Sequence, residues 1–167
     1  MILGVSSVWG PVKGLQDYIR LSERLADDEV IVLVGISEKQ MSLLPKNIIG
    51  LPRTDSVRYL VQLYNRADVT LSLSVAETFG LTIAESFACG TPSIVYDQTA
   101  LPDLIEENTG YVVSPGDIDG LYGAIRKVKE NGKSHYSVCC RELAEKKYDL
   151  QKSYIDYIHL YEKILHE

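Results

Sequence analysis

The sequence has little that would tie it to anything but its own core. Three cysteines, two of them adjacent at Cys139 and Cys140, supply neither a paired disulfide framework nor a C-x-x-C metal spacing. They read as reduced thiols, which places the chain in the cytoplasm, and the domain is expected to fold without a metal. Apolar runs are short, the longest obvious one being residues 30–34, against the roughly 18 residues of a membrane-spanning helix. A basic segment backed by a long apolar stretch is missing from the first residues, so no secretory signal is expected. Positive charge is not in surplus either: the formal net charge is −6, whereas a nucleic-acid surface needs clustered Lys and Arg. The first βα turn lacks G-x-G-x-x-G, and no G-x-x-x-x-G-K-[ST] occurs, which excludes the usual phosphate loops of dinucleotide oxidoreductases and ATPases.

What is present is enough for one globular domain. A chain of 167 residues with 46% hydrophobic and 24% charged residues can bury a core without staples. Its charge is uneven, with nine Lys or Arg against seven Asp or Glu in residues 126–167 and eight against sixteen before them. A solvated mixed-charge surface accounts for the tail.

Strands and helices alternate along the whole chain. Met1 is followed at once by the buried-strand pattern Ile2-Leu3-Gly4-Val5. So abrupt a start leads us to expect an excised domain whose partner lay N-terminal. Leu15, Tyr18, Ile19, Ser22 and Leu25 mark a helix, residues 30–34 a strand apolar on both faces, and residues 47–51 a shorter strand. Val57, Leu60, Val61 and Tyr64 mark a second helix, capped by Thr54, Asp55 or Ser56. Beyond residue 92 the pattern predicts strands over 93–96 and 110–114 and a short helix over 101–107. Helices are predicted to end near Asn131-Gly132 and to span 136–147, followed by a terminal helix with the stripe Tyr154, Tyr157, Ile158, Tyr161, Ile164 and Leu165. Such alternation implies an α/β class, a doubly wound, Rossmann-like parallel sheet.

The chain is organised around DVTLSLSVAETFGLTIAESFACGTPSIVY, residues 68–96. Val69, Leu71 and Leu73 alternate with polar residues and stop at Glu77-Thr78-Phe79-Gly80, after which Leu81, Ala84 and Ala88 share a helical face. Parallel sheets bind ligands at the carboxyl ends of their strands, so this loop is the natural site. The N–H groups of Gly80, Leu81 and Thr82 are free at the helix start and suit an anionic phosphate. Lys13, just before the first helix, would neutralise more of that charge, and Gly80 would admit a ligand against the backbone because it has no Cβ. Glu77 and Glu85 can each accept two hydroxyl hydrogen bonds, which matches a ribose or sugar diol. A bland alternative makes Glu77 a helix cap and pairs Glu85 with Arg66 or a lysine. Against it, Glu85 sits in the apolar run LTIAESFACG, where an acid without a partner would cost several kcal/mol.

The composite ETFGLTIAESFACGTPSIVYD, preceded by LYNRADVTLSLS and followed by NTGYVVSPGDIDGL, resembles the carboxyl-terminal domain of the retaining GT-B glycosyltransferases, glycosyl transferases group 1. The likeness runs over nearly the whole chain. It implies one half of a GT-B fold that binds a nucleoside-diphosphate sugar without a metal or other cofactor. Glu77, as the catalytic residue, would hold hydroxyls of the donor sugar. The Phe79, Gly80 and Leu81 backbone would touch sugar and phosphate, Glu85 would take the ribose diol, Lys13 would bind the diphosphate, and Gly10, Thr78 and Thr82 would also belong to the substrate-binding set. Leu51, followed by Pro52, falls where the family contacts the base. One departure stands out, since Val8 occupies the position of the family's arginine five residues before the lysine. Phosphate binding is then expected to rest on Lys13 and backbone N–H groups, or on a first loop shaped differently around Trp9-Gly10.

The resemblance further implies a missing N-terminal domain that holds the acceptor. None of His135, His159 or His166 falls in a motif. Residues 149–167 are expected to pack on that missing domain and, in isolation, to expose a patch or dimerise. With them goes the nearby Tyr148, one of four tyrosines, with Tyr154, Tyr157 and Tyr161, that need an apolar neighbour. The implied reaction moves a hexose-type sugar with retention onto a glycan or lipid-linked acceptor in polysaccharide biosynthesis. Any contact with the inner face of the membrane would come through the other domain. The rivals are a sugar-nucleotide epimerase of related fold and a nucleotide-binding or interaction module without chemistry.

Overall fold

A computed structural model describes residues 1–166. Six strands form one all-parallel sheet: β1 (Ile2–Val5), β2 (Ile31–Val34), β3 (Ile48–Leu51), β4 (Val69–Ser72), β5 (Ser93–Tyr96) and β6 (Gly110–Val113), in the order β3-β2-β1-β4-β5-β6. The helices are α1 (Leu15–Ser22), α2 (Glu38–Met41), α3 (Val57–Arg66), α4 (Leu81–Ala88), α5 (Ile118–Asn131), α6 (Lys133–Lys147) and α7 (Leu150–His166). The sheet is doubly wound and Rossmann-like. Ile2 lies opposite both Ile31 of β2 and Val69 of β4, so the chain winds outward from β1 in one direction and then returns to its other side. That reversal opens a crevice at the carboxyl ends of β1 and β4.

Alternation decides what each strand buries. Ile31 and Leu33 join the larger apolar cluster while Val32 and Val34 join a smaller one with Leu3, Tyr64 and Ala67, as a period of two requires. Gly4 is needed at the centre of this packing, because a Cβ there would stand about 3 Å from Leu33, Tyr18 and Trp9 side chains at once. Trp9 fills the space, its Nε1 donating to the Val34 carbonyl at 2.8 Å and its ring meeting Tyr18 edge-on at 5.2 Å.

Several boundaries differ from the sequence reading. The helix expected over 101–107 is only a 3-10 turn, Pro102–Leu104, because Ile105 is extended and Thr109 closes the segment by bonding to both N–H and carbonyl of Glu106. The single turn α2 has no counterpart in the sequence reading, although Ser37 and Gln40 form a capping box with a legible Ser-x-x-Gln spacing. α1 stops at Ser22, short of Leu25. α6 begins at Lys133, three residues early, where Lys133 Nζ donates to the carbonyls of Tyr64, Asn65 and Ala67 at the end of α3. A cation at that place also complements the helix dipole.

Tyr148 does not belong to the terminal helix: it caps α6 and packs edge-on against Phe79 at 5.7 Å. α7 itself buries no residue; Tyr154, Tyr157, Ile158, Tyr161, Ile164 and Leu165 are all exposed, and Glu167 lies outside the described residues. Among the described residues no helix is long and apolar enough to cross a membrane.

Candidate functional site

The crevice between β1 and β4 holds a cleft of about 210 Å³ whose walls include Trp9, Lys13, Ser72, Ser74 and the continuous run from Glu77 to Thr82. Two backbone contacts assemble it. Gly14 ends the 3-10 turn Pro11–Lys13 in the left-handed region, at φ 69°, and Val75 N–H donates to the Val12 carbonyl at 2.9 Å, so the first loop and the β4–α4 loop are stitched together. Gly80 opens α4 at φ 84°, also left-handed. Its missing Cβ serves the protein, not the ligand: a Cβ there would stand 2.6 Å from Leu104 and 3.3 Å from Leu101. This corrects the expectation that Gly80 is bare in order to admit a ligand. The residue turns the chain so that α4 starts facing the cleft.

Among the described residues, the N–H groups of Gly80, Leu81 and Thr82 have no protein acceptor. Helix starts of this kind carry partial positive charge and favour anions. Ser74, buried in the wall of the same cleft, has a hydroxyl without a hydrogen-bond partner. A buried polar group left this way is one a ligand can satisfy.

Lys13 and Glu77 meet across the cleft, with Nζ 2.6 Å from Oε2. The carboxylate is positioned by its own backbone, whose N–H donates to Thr99 Oγ1 at 3.0 Å, and by the Thr78 N–H, which donates to Oε1 at 3.1 Å. Partial burial pushes the Glu77 carboxyl upward, but the Lys13 ammonium and the N–H groups of Thr78 and Phe79 outweigh it and hold the group below the ordinary carboxylate range. The pair therefore adds stability above the unfolded glutamate value of about 4.3, which is lost as pH falls through the folded value. In urea titrations the unmutated chain is expected to be more stable than Glu77→Gln at pH 7, with the two midpoints converging below about pH 4.

Glu85 lies one turn into α4 and outside this cleft. It is exposed, and it lines a neighbouring groove of about 600 Å³ that shares Phe79 and Leu81 with the cleft. Its partner is neither Arg66 nor a lysine: Oε2 accepts a 2.9 Å hydrogen bond from the Tyr64 hydroxyl. The apolar run around it misled because Ala84 and Ala88 are only partly buried and Glu85 points outward among them. Gly10 and Leu51 do not line the cleft. Gly10 precedes the 3-10 turn with extended backbone, and Leu51 ends the edge strand β3, where its carbonyl accepts the N–H groups of Gly35 and Ile36. Val8 is 72% exposed and does not line the cleft, while Trp9 beside it forms part of the wall.

Sequence reasoning passed over Trp9 as a wall, Ser74, Thr99 and Tyr64. Thr99 is a β-branched residue at φ 50°, rare for such side chains, and nothing in its neighbours announces it. Helical spacing places Tyr64 on the buried face of α3, where the structure has it, and spacing carries no information on the partner of its hydroxyl. Among the described residues no group of three or more His, Cys, Asp or Glu gathers as metal ligands.

As chemistry, the arrangement offers an anion seat at a helix start with one ammonium beside it, the Glu77 carboxylate in the same cleft and the Glu85 carboxylate in the neighbouring groove. The sequence profile described as Glycosyl transferases group 1 matches residues 2–146. A GDP-mannose-dependent alpha-(1-6)-phosphatidylinositol dimannoside mannosyltransferase of Mycobacterium tuberculosis is 35% identical over 79 residues, 47% of this chain and 20% of the relative. An N-acetyl-alpha-D-glucosaminyl L-malate synthase of Bacillus anthracis is 31% identical over 121 residues, 66% of this chain and 31% of the relative. In fold, the UDP complex of Anabaena Alr3699/HepE superposes with a TM-score of 0.82 at 19% identity, covering 97% of this chain and 48% of that one. The chain thus spans about half the length of that solved protein, and its matches take in a fifth to a third of these curated relatives.

Proposed function

The chain belongs to the glycosyl transferases group 1 family, and from that membership we propose that it is the donor-binding half of a retaining, metal-independent GT-B glycosyltransferase. The observation that carries the reading is the convergence of Lys13, Glu77 and the free N–H groups of α4 in one cleft at the sheet's reversal point. A nucleoside diphosphate would seat its phosphates on those N–H groups, with Lys13 leaving Glu77 to meet them. Glu77, released, would accept hydroxyls of the donor sugar, and Glu85 would accept the ribose diol. Lys13 and the helix start would then stabilise the charge that grows on the departing diphosphate, which is the main contribution such a domain can make to transfer. The use of GDP-mannose by the mycobacterial relative and the binding of UDP by HepE support a nucleoside-diphosphate donor.

The acceptor, a glycan or lipid-linked molecule of polysaccharide synthesis, would be held by an N-terminal domain. The exposed stripe of α7 is the surface that would pack on it. This chain alone would bind donor without transferring sugar. Calorimetric titration of the 167-residue chain with UDP, GDP, ADP and CDP, with and without a chelator, tests the reading. Saturable binding of one of them, indifferent to the chelator, is expected; no binding of any at millimolar concentration overturns it.

A further inference from the structure

Glu85 is held by a neutral group that reaches it from the core. The Tyr64 side chain is 1% exposed, yet its hydroxyl emerges beside an exposed carboxylate and donates to Oε2 at 2.9 Å. Its backbone is anchored as well, the Tyr64 carbonyl accepting hydrogen bonds from Thr91 Oγ1 at 2.7 Å and from Lys133 Nζ at 3.1 Å. Oε1 of Glu85 has no partner among the described residues. We propose that Tyr64 is a positioning residue for ribose recognition: its hydroxyl occupies Oε2 of Glu85 and holds the carboxylate so that Oε1 stays open to the vicinal diol of the donor nucleotide. This inference rests on the assignment of Glu85 to the ribose made above.

The chemistry of the partner is what makes the arrangement selective. A guanidinium can engage both carboxylate oxygens in a fork, and a guanidinium or a lysine ammonium would offset the charge that makes the carboxylate a strong acceptor. A phenol carries one proton, so it takes one oxygen and leaves the other. Burial and the adjacent carboxylate push the Tyr64 phenol well above its ordinary value, so it is a protonated donor at neutral pH. A glutamate on the surface of a helix otherwise samples several rotamers, and immobilising it before the ligand arrives lowers the entropic cost of binding.

The test compares UDP and GDP with their 2′,3′-dideoxy counterparts in calorimetric titrations of the unmutated chain, Tyr64→Phe, Glu85→Ala and Glu85→Asp. The unmutated chain is expected to prefer the ribonucleotide, Glu85→Ala to abolish that preference, and Tyr64→Phe to reduce it roughly three- to tenfold, the cost of ordering one side chain that is no longer held in advance. Binding of the dideoxy nucleotide should not change in Tyr64→Phe, a result that a merely structural role for the residue does not predict. Glu85→Asp keeps the charge but draws it back from the Tyr64 hydroxyl. It should lose the preference as well, and it carries the test if Tyr64→Phe proves unfolded by circular dichroism. A preference retained in a folded Tyr64→Phe, or in Glu85→Asp where that variant must serve, overturns the positioning role alone, as does an equal loss for the dideoxy ligand. Nucleotide binding with no ribose preference in the unmutated chain overturns the role of Glu85 and this inference with it. Absence of binding overturns the donor-site reading itself.

Discussion

A Lys13→Ala variant is expected to bind nucleoside diphosphate some ten- to hundredfold more weakly than the unmutated chain, while its affinity for the bare nucleoside stays the same. The magnitude follows from a hydrogen bond between ionised groups, about 1.5–3 kcal/mol, at 1.4 kcal/mol per factor of ten. Lys13 is the cation in the cleft, and the position of a second basic side chain in the first loop is taken by Val8, which faces solvent. Removal of Lys13 also strips Glu77 of its counter-ion, so that an incoming diphosphate would meet a bare carboxylate. The complementary change has the opposite sign. Glu77→Ala releases Lys13 from its 2.6 Å contact, and it is expected to hold or tighten the nucleoside diphosphate while losing any preference for the sugar nucleotide over it. Isothermal titration of both variants with the nucleosides uridine and guanosine, with UDP and GDP, and with the corresponding sugar nucleotides reads all of these quantities. Equal affinity for the diphosphate in Lys13→Ala and the unmutated chain sinks the assignment of that lysine.

Thermal unfolding of Gly14→Ala is expected some 6–12 °C below the unmutated chain, the shift that about 3 kcal/mol produces in a domain of this size. Gly14 stands at φ 69°, where an L side chain is already strained by ~1–2 kcal/mol, and its Cβ would lie 2.3 Å from the Leu73 carbonyl oxygen. That oxygen is backbone at the end of β4 and has little room to retreat, since Leu73 is itself buried. The two loops that carry Lys13 and Glu77 would be forced apart, so donor binding should fall with stability. Gly10, four residues earlier, supplies the control: it is extended and a Cβ there meets nothing within 4 Å. Gly10→Ala should therefore melt with the unmutated chain, and a comparable loss in both variants would remove the steric argument.

The alternation of strands and helices, apart from α2 and the turn at Pro102, and the doubly wound sheet with its candidate cleft at the β4–α4 loop are legible in the residues. Hydrophobic period is a local quantity: residues 31–34, Ile-Val-Leu-Val, can only be covered on both faces, and Val69, Leu71 and Leu73 can only stop being a strand at the polar loop that follows. The stretch from Glu77 to Glu85 announced its carboxylates and helix start in the same way, because a helix start is set by the residues that make it. What spacing left open was the identity of partners distant along the chain. Lys13 and Glu77 are 64 residues apart, and Glu77 N–H and Thr99 are 22 apart. Both meetings exist because β1 and β4 are neighbours in the sheet and β5 follows on.

Gly80 shows the same division. Its left-handed turn could be anticipated at a helix start, whereas the reason a Cβ is excluded lies in Leu101 and Leu104, brought under it by the turn at Pro102. For Glu85 the sequence offers Arg66 or a lysine as the bland alternative partner, yet the fold delivers Tyr64, two residues before Arg66 on the buried face of α3. A helix rotates its residues by 100° each, so side chains two apart point to opposite sides, and only the packing of α3 against α4 and the sheet determines which one arrives. Local chemistry is written in the order of residues. The choice of partner depends on the register between elements, and that is settled only when the sheet is assembled.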